Sequence, residues 1–368
     1  MTLIAGFKKE KCTVLFGDIL LSSPSPNPEL ILPTVGKISK KDISSVKYKP
    51  SSLCQKINLL GHQLAIAFSG DAFDAHFLLN AIIKDKLHEK ISRYPTRDVC
   101  NAIMELYEAI NNHKKLSIIG MCKDGKQTAI FGRQFRSIEK KFDPSFDFFA
   151  VAGSGFDKFS EFVLPNLPSV PPGANDDMYV ILLALGFTTT LLAEELHTRD
   201  TLQNLFGAGY EIIHPLGRGF AKLDTVTYLF WRAVETKKNR WILRFPFLAC
   251  NYSYYNDILI IRSVRMSSAK LGRIESDELH DVHPLYKTSK PEDLLDYTPK
   301  SLNTNYMCNT FAWQNYFGRA GYLSFVTHSK KKSPVVWKNE FRKDGSVEIE
   351  DEFLKDCIVK IKAKSKIS

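Results

Sequence analysis

Cysteine is scarce and scattered. The seven in the chain stand at positions 12, 54, 100, 122, 250, 308 and 357, an odd number with no C-x-x-C pair. That spacing excludes a disulfide framework and a zinc module, and reads as free thiols in a reducing compartment. No apolar run approaches the roughly 20 residues needed to span a bilayer. Lys8, Lys9, Glu10 and Lys11 interrupt the N-terminus before a signal-peptide core could form. The expectation is a cytoplasmic protein with no membrane partner. Internal repeats are absent. His280 and His283 lack a third ligand or a helical spacing, so surface histidines and no metal are expected. Gly217-Arg-Gly219 lacks the spacing and the following Lys-Ser/Thr of a phosphate loop.

What the chain has is apolar and aromatic material. Its 368 residues are 44% hydrophobic and include 25 Phe and 14 Tyr. This is enough to bury a core, which excludes intrinsic disorder. The length suggests two domains, or one large domain with extensions. Lys and Arg outnumber Asp and Glu by 50 to 40, for a formal charge of +10. Part of the excess sits at Lys330-Lys331-Lys332 and at Lys360, Lys362, Lys364 and Lys366. Such clusters could touch nucleic acid, but a solvated surface accounts for them, and nucleic acid is not the expected partner.

The runs 2–7 and 12–17 flank a charged turn and predict a β-hairpin closed by Asp18. Residues 22–52, with Pro24, Pro26, Pro28, Pro33 and many serines, predict a long irregular insertion. Paired strands follow at 56–60 and 63–69, then amphipathic helices at 72–91 and 96–113. Strands return at 116–121, 128–131 and 148–152, helices at 157–163 and 178–197, and strands at 209–214 and 225–231. Hairpin-linked strands covered by paired helices predict an α+β fold. The expected packing is a four-layer α-β-β-α sandwich over residues 1–235, with a β-rich extension or small domain over 236–368.

Thr2, Asp18 and Lys56 carry the chemistry. A small second residue permits removal of Met1, leaving a hydroxyl and a free α-amine on the same threonine. An α-amine titrates at about 7.7–8.0, so it can act as general base on its own Oγ. A nearby lysine ammonium lowers the pKa of that hydroxyl and amine, and a carboxylate beside the lysine keeps it charged and fixed.

In these features the chain resembles the proteasome β subunits and the related bacterial ring protease, which are N-terminal-nucleophile (Ntn) hydrolases. The interval from Thr2 to Asp18 is similar to that between the family's N-terminal threonine and the aspartate ending its second strand. Lys56 through Phe68-Ser-Gly70-Asp-Ala-Phe-Asp74 is similar to the family's segment from catalytic lysine to helix start, and Gly153-Ser154-Gly155 to its Gly-Ser-Gly. The resemblance covers residues 2–235. It implies an Ntn-hydrolase sandwich with Thr2 as nucleophile, Lys56 tuning it and Asp18 holding Lys56. It also implies the Gly70 N–H as oxyanion donor and Ser154 beside the amine. Phe68 and Ala72 would line the substrate pocket, Phe68 making it shallow. No cofactor is implied; the substrate would be a peptide or amide, and the assembly a ring or dimer.

Each residue also has a plain structural reading. Asp18 could end a strand, Lys56 could be a solvated edge, and Ser154 could cap a helix. Gly70 could serve backbone conformation alone, and Phe68 core packing. The family's Asp-x-x-Ser-Gly is replaced by Gln203-Asn-Leu-Phe-Gly207, with Asp200 the nearest carboxylate, and Leu20 stands where the family has a basic or small polar residue. The expected function is a threonine hydrolase acting after Met1 removal. The alternative is a non-catalytic scaffold or interaction protein.

Overall fold

The structure is a computed structural model. It describes residues 2–25, 27–38, 48–110, 115–124, 128–138, 146–163, 175–237, 240–243, 246–267, 274–286, 305–328, 335–338 and 346–367. The cluster Lys330–Lys332 lies outside the described residues, as does Met1. The chain divides into two compact units. One holds residues 1–223, 256–258 and 282–290; the other holds 224–255, 259–281 and 291–368.

The first unit contains a six-stranded and a four-stranded sheet. The expected hairpin forms between Ile4–Lys9 and Cys12–Asp18, with Ile4 opposite Gly17 and Lys9 opposite Cys12. It occupies the middle of the six-stranded sheet. Phe148–Ala152 flanks its first strand and Tyr210–Leu216 its second, the latter placing Tyr210 opposite Asp18. The four-stranded sheet runs in the order Thr128–Arg133, Leu116–Lys123, Leu64–Gly70, Ile57–Leu60. Ile4, Leu15, Ala65, Ala67, Ile119, Ala150 and Ile213 form an apolar cluster drawn from both sheets. Small residues alternating with branched ones allow that close approach.

The helices Ala72–Lys84 and Thr96–Ile110 pack their apolar faces against Leu64, Ile66 and Phe68 of the four-stranded sheet. Asp71 caps the first of them, its carboxylate accepting from the Phe73 and Asp74 N–H groups. That helix ends at Lys84, short of the expected Ile91, and a separate turn follows at Leu87–Lys90. Helix Asp176–Thr198 packs on the six-stranded sheet, where Phe187 meets the rings of Phe7, Phe16, Phe149 and Phe159.

Helix Asp176–Thr198 also corrects the reading of the apolar runs. By length and composition it could cross a membrane, and 83% of its apolar window is buried inside the protein. Thr188, Thr189 and Thr190 interrupt the run in sequence, but their hydroxyls donate to the carbonyls of Leu185 and Gly186. Their polarity is thereby spent within the helix.

The second unit is built on a seven-stranded sheet. Its order is Ile274–Val282, Ile258–Met266, Leu248–Tyr255, Val226–Lys237, Tyr306–Gln314 and Ala320–His328, with Arg240–Leu243 pairing to Val226–Lys237. Val226–Lys237 and Tyr306–Gln314 run parallel. Trp231, Phe311 and Trp313 lie in its core, joined by Cys357 and Ile361 of helix Asp351–Ile367.

The α+β reading as a four-layer α-β-β-α sandwich with a trailing extension is therefore corrected. The described residues are mostly β, 47% strand against 29% helix, with seven helices and several sheets. Two segments depart from that reading. The stretch read as an irregular insertion contributes strands: Leu20–Ser23 pairs with Lys49–Leu53, and Ile31–Leu32 with Gly36–Lys37. Val226–Lys237, read as the last strand of a 1–235 core, joins the seven-stranded sheet of the second unit. The division accordingly falls at Leu223–Asp224, and the chain returns to the first unit twice afterwards.

Candidate active site

The N-terminal hairpin sets the site. Antiparallel pairing brings the start of its first strand beside the end of its second, so Asp18 lies next to Leu3. The Asp18 N–H donates to the Leu3 carbonyl (3.0 Å), and the Leu3 N–H donates to Asp18 Oδ1 (2.8 Å). Asp18 Oδ2 also accepts from the N–H groups of Leu20 (3.1 Å) and Gly207 (3.0 Å). The carboxylate is fully buried and oriented by three backbone donors.

Lys56 completes the arrangement. It is fully buried, and its Nζ donates to both Asp18 oxygens (3.0 and 3.1 Å), to the Leu20 carbonyl and to Thr2 Oγ1. Burial pushes the Lys56 ammonium below the ordinary lysine range, and Asp18 opposes that shift. Leu20 replaces the basic or small polar residue of the family pattern, yet its backbone carbonyl serves as a lysine acceptor that needs no particular side chain. Thr2 is itself buried, 2% exposed.

Ser154 stands on the other side of Thr2. The Thr2 N–H donates to Ser154 Oγ (3.2 Å), and the Ser154 hydroxyl donates to the Asn204 carbonyl (2.7 Å). The helix that follows takes Gly155 as its cap with no side-chain bond, so Ser154 is not a capping residue. Gly153 has φ +101°, and a Cβ there would overlap the Thr2 carbonyl oxygen. Asp200 does not replace the missing family carboxylate. Its side chain pairs with Lys158 at 2.9 Å, and Ser154 takes a backbone carbonyl instead.

Gly70 ends its strand at an exposed position with φ +108°, where a Cβ would overlap the Lys115 carbonyl. The Phe68 N–H donates to the Lys56 carbonyl and the Asp71 N–H to the Lys115 carbonyl. Alternation along a strand then directs the Gly70 N–H toward the edge that Lys56 occupies. Phe68 and Ala72 are not brought into this cluster. Phe68 is buried in the helix–sheet core with Ala72 packed against it, which is the core-packing alternative. His280 is not a surface residue: its imidazole is largely buried and burial lowers its pKa to about 4. Among the described residues no group of three or more His, Cys, Asp and Glu could hold a metal.

Several buried polar residues escaped the sequence reading. Glu211 accepts from the Ile57 N–H (2.6 Å) and pairs with Lys222 at 3.5 Å, while Lys222 also donates to Gln55 Oε1. Gln55 Nε2 donates to the carbonyls of Asp257 (2.7 Å) and Val282 (2.6 Å). Glu195 is fully buried on helix Asp176–Thr198. Burial raises the pKa of both Glu195 and Glu211. The available signal was a lone carboxylate inside an apolar segment, as in Gly209-Tyr-Glu-Ile-Ile213.

No protein-family model matches the chain, and no curated protein matches it.

Proposed function

We propose that the first unit is an N-terminal threonine hydrolase that cleaves a peptide or amide bond once Met1 has been removed. One observation carries this reading: a buried lysine ammonium bonded both to the Thr2 hydroxyl and to a carboxylate anchored by backbone N–H groups. In water a threonine hydroxyl is a poor nucleophile. Here the ammonium stabilises developing negative charge on Oγ1, and low polarity strengthens that interaction.

The proton route follows from the hydrogen-bond directions. Ser154 spends its one O–H on Asn204, so it can only accept from the Thr2 nitrogen. The lone pair of a neutral α-amine is then left to take the Oγ1 proton, directly or through a water. Oγ1 bonds to the substrate carbonyl carbon, and the Gly70 N–H is the proposed donor to the resulting oxyanion. The α-ammonium returns its proton to the departing amine, and water hydrolyses the Thr2 ester.

Intact mass before and after treatment with an epoxyketone, a warhead that needs both hydroxyl and amine, tests this. The expected result is loss of Met1 and one adduct on Thr2, absent from Thr2→Ala. Retention of Met1, or equal hydrolysis by wild type and Thr2→Ala, overturns it. The burial of Thr2 favours one rival, a non-catalytic scaffold or interaction protein, which predicts a folded protein with no adduct.

A further inference from the structure

The Pro/Ser-rich segment after Asp18 reaches back to the site through a buried carboxylate. Thr34 sits in the turn between the paired strands Ile31–Leu32 and Gly36–Lys37, within the apolar run Leu30-Ile-Leu-Pro-Thr34-Val-Gly36, and is fully buried. Its hydroxyl donates to Glu195 Oε1. The other oxygen, Oε2, accepts from the Thr201 hydroxyl (3.1 Å) and from the Ala208 N–H (2.8 Å). Gly207, next to Ala208, donates its own N–H to Asp18 Oδ2 at 3.0 Å.

The loop between these two carboxylates is a strained one. Leu205 (φ +60°) and Ala208 (φ +65°) are left-handed without being glycine, and Gly207 lies at φ +119°. A Cβ on Gly207 would overlap Glu195 Oε2. Such conformations persist only where the surroundings hold them. Here the holding groups are Glu195 on one side and Asp18 on the other, and Thr34 fixes Glu195.

We infer that Thr34 and Glu195 are positioning residues for the Asp18–Lys56–Thr2 arrangement, so that the turn at 31–37 is a strap supporting the site. The inference rests on the proposed hydrolase reading for its consequence in reactivity, but its structural content can be read independently. Glu195 orients the Gly207–Ala208 backbone, Gly207 orients Asp18, and Asp18 orients the lysine that faces Thr2.

The test uses the full chain and two variants, Thr34→Val, which removes the hydroxyl at nearly constant shape, and Thr34→Ser, which keeps it. Hydrogen exchange is followed on the peptide carrying Leu205–Gly209, with the strand Leu64–Gly70 as internal control. The expected result is that Thr34→Val exchanges about tenfold faster in the loop while Thr34→Ser and the control strand stay as in wild type. The rate of epoxyketone adduct formation is expected to fall by a similar factor in Thr34→Val and to recover in Thr34→Ser. Unchanged loop exchange in Thr34→Val, or equally fast exchange in Thr34→Ser, overturns the strap. A wild-type protein that forms no adduct overturns the hydrolase reading alone, since the exchange data still decide the strap. Should the valine variant not fold, Thr34→Ala removes the same hydroxyl without added bulk and gives the same readout.

Discussion

Lys56 is the residue on which the candidate site depends most. An ammonium with 1% of its side chain exposed is tolerated only because Asp18, the Leu20 carbonyl and Thr2 Oγ1 meet its donors. Lys56→Met keeps the aliphatic stem but leaves Asp18 as a buried charge without its cation. The expected cost is about 3–5 kcal/mol of stability, measured by urea unfolding, together with a loss of epoxyketone reactivity beyond what unfolding explains.

Glu195 gives a pH signature of its own. Its pKa is raised above the ordinary 4.5 by burial. Between 4.5 and the raised value the folded state holds a proton that the unfolded state has released, so stability falls as pH rises through that window. Glu195→Gln removes this contribution. The expected outcome is a shallower decline of unfolding free energy above pH 4.5 than in wild type, read from urea titrations at several pH values. An equal or steeper decline in the variant would count against Glu195 as its source.

At the scale of elements, the N-terminal hairpin and the Gly153-Ser154-Gly155 turn form one device. The hairpin register brings Asp18 to Leu3, and the turn meets the Thr2 carbonyl so closely that only glycine fits at Gly153. The Gly155 N–H donates to the same carbonyl at 3.3 Å. Gly153→Ala is expected to cost about 1–3 kcal/mol through backbone strain, and to displace Thr2 from Ser154. A thermal melt checks the first effect and adduct formation the second.

Much of this device was legible beforehand. Alternating apolar runs around a charged turn specify a hairpin through local pattern alone, and Asp18 at its end follows from the count. The role of Ser154 was open between cap and amine partner. The following helix takes Gly155 as its cap, and Ser154 instead lies between the Thr2 N–H and the Asn204 carbonyl, fifty residues away in sequence.

At the scale of the whole molecule, the boundary drawn at 235 is physically wrong for a simple reason. A strand belongs to whichever sheet satisfies its backbone, and Val226–Lys237 bonds to Leu248–Tyr255 and Tyr306–Gln314. Segments 256–258 and 282–290 in turn belong to the first unit, where the carbonyls of Asp257, Val282 and His283 accept from Gln55. A chain truncated after residue 235 would strip Gln55, the neighbour of Lys56, of those acceptors and leave a strand unpaired. It is expected to show a lower melting temperature and to aggregate, as followed by circular dichroism and light scattering. A truncated chain that melts like the full one would show that these returning segments contribute nothing.

The sequence by itself determined the local units: the hairpin, the capped helix after Asp71, and the aromatic and aliphatic core positions. These are readable because periodicity, capping and charge act over a few residues, or over one hairpin. Tertiary structure alone decided which sheet each strand joined and that the proline-rich segment carries a buried Thr34. It also decided that Phe68 belongs to the core and that Glu195, Glu211 and Gln55 hold the backbone around the site. The buried polar contacts Thr34–Glu195, Glu211–Ile57 and Gln55–Val282 join residues more than a hundred positions apart, and burial makes such partners obligatory without leaving a mark on the local pattern.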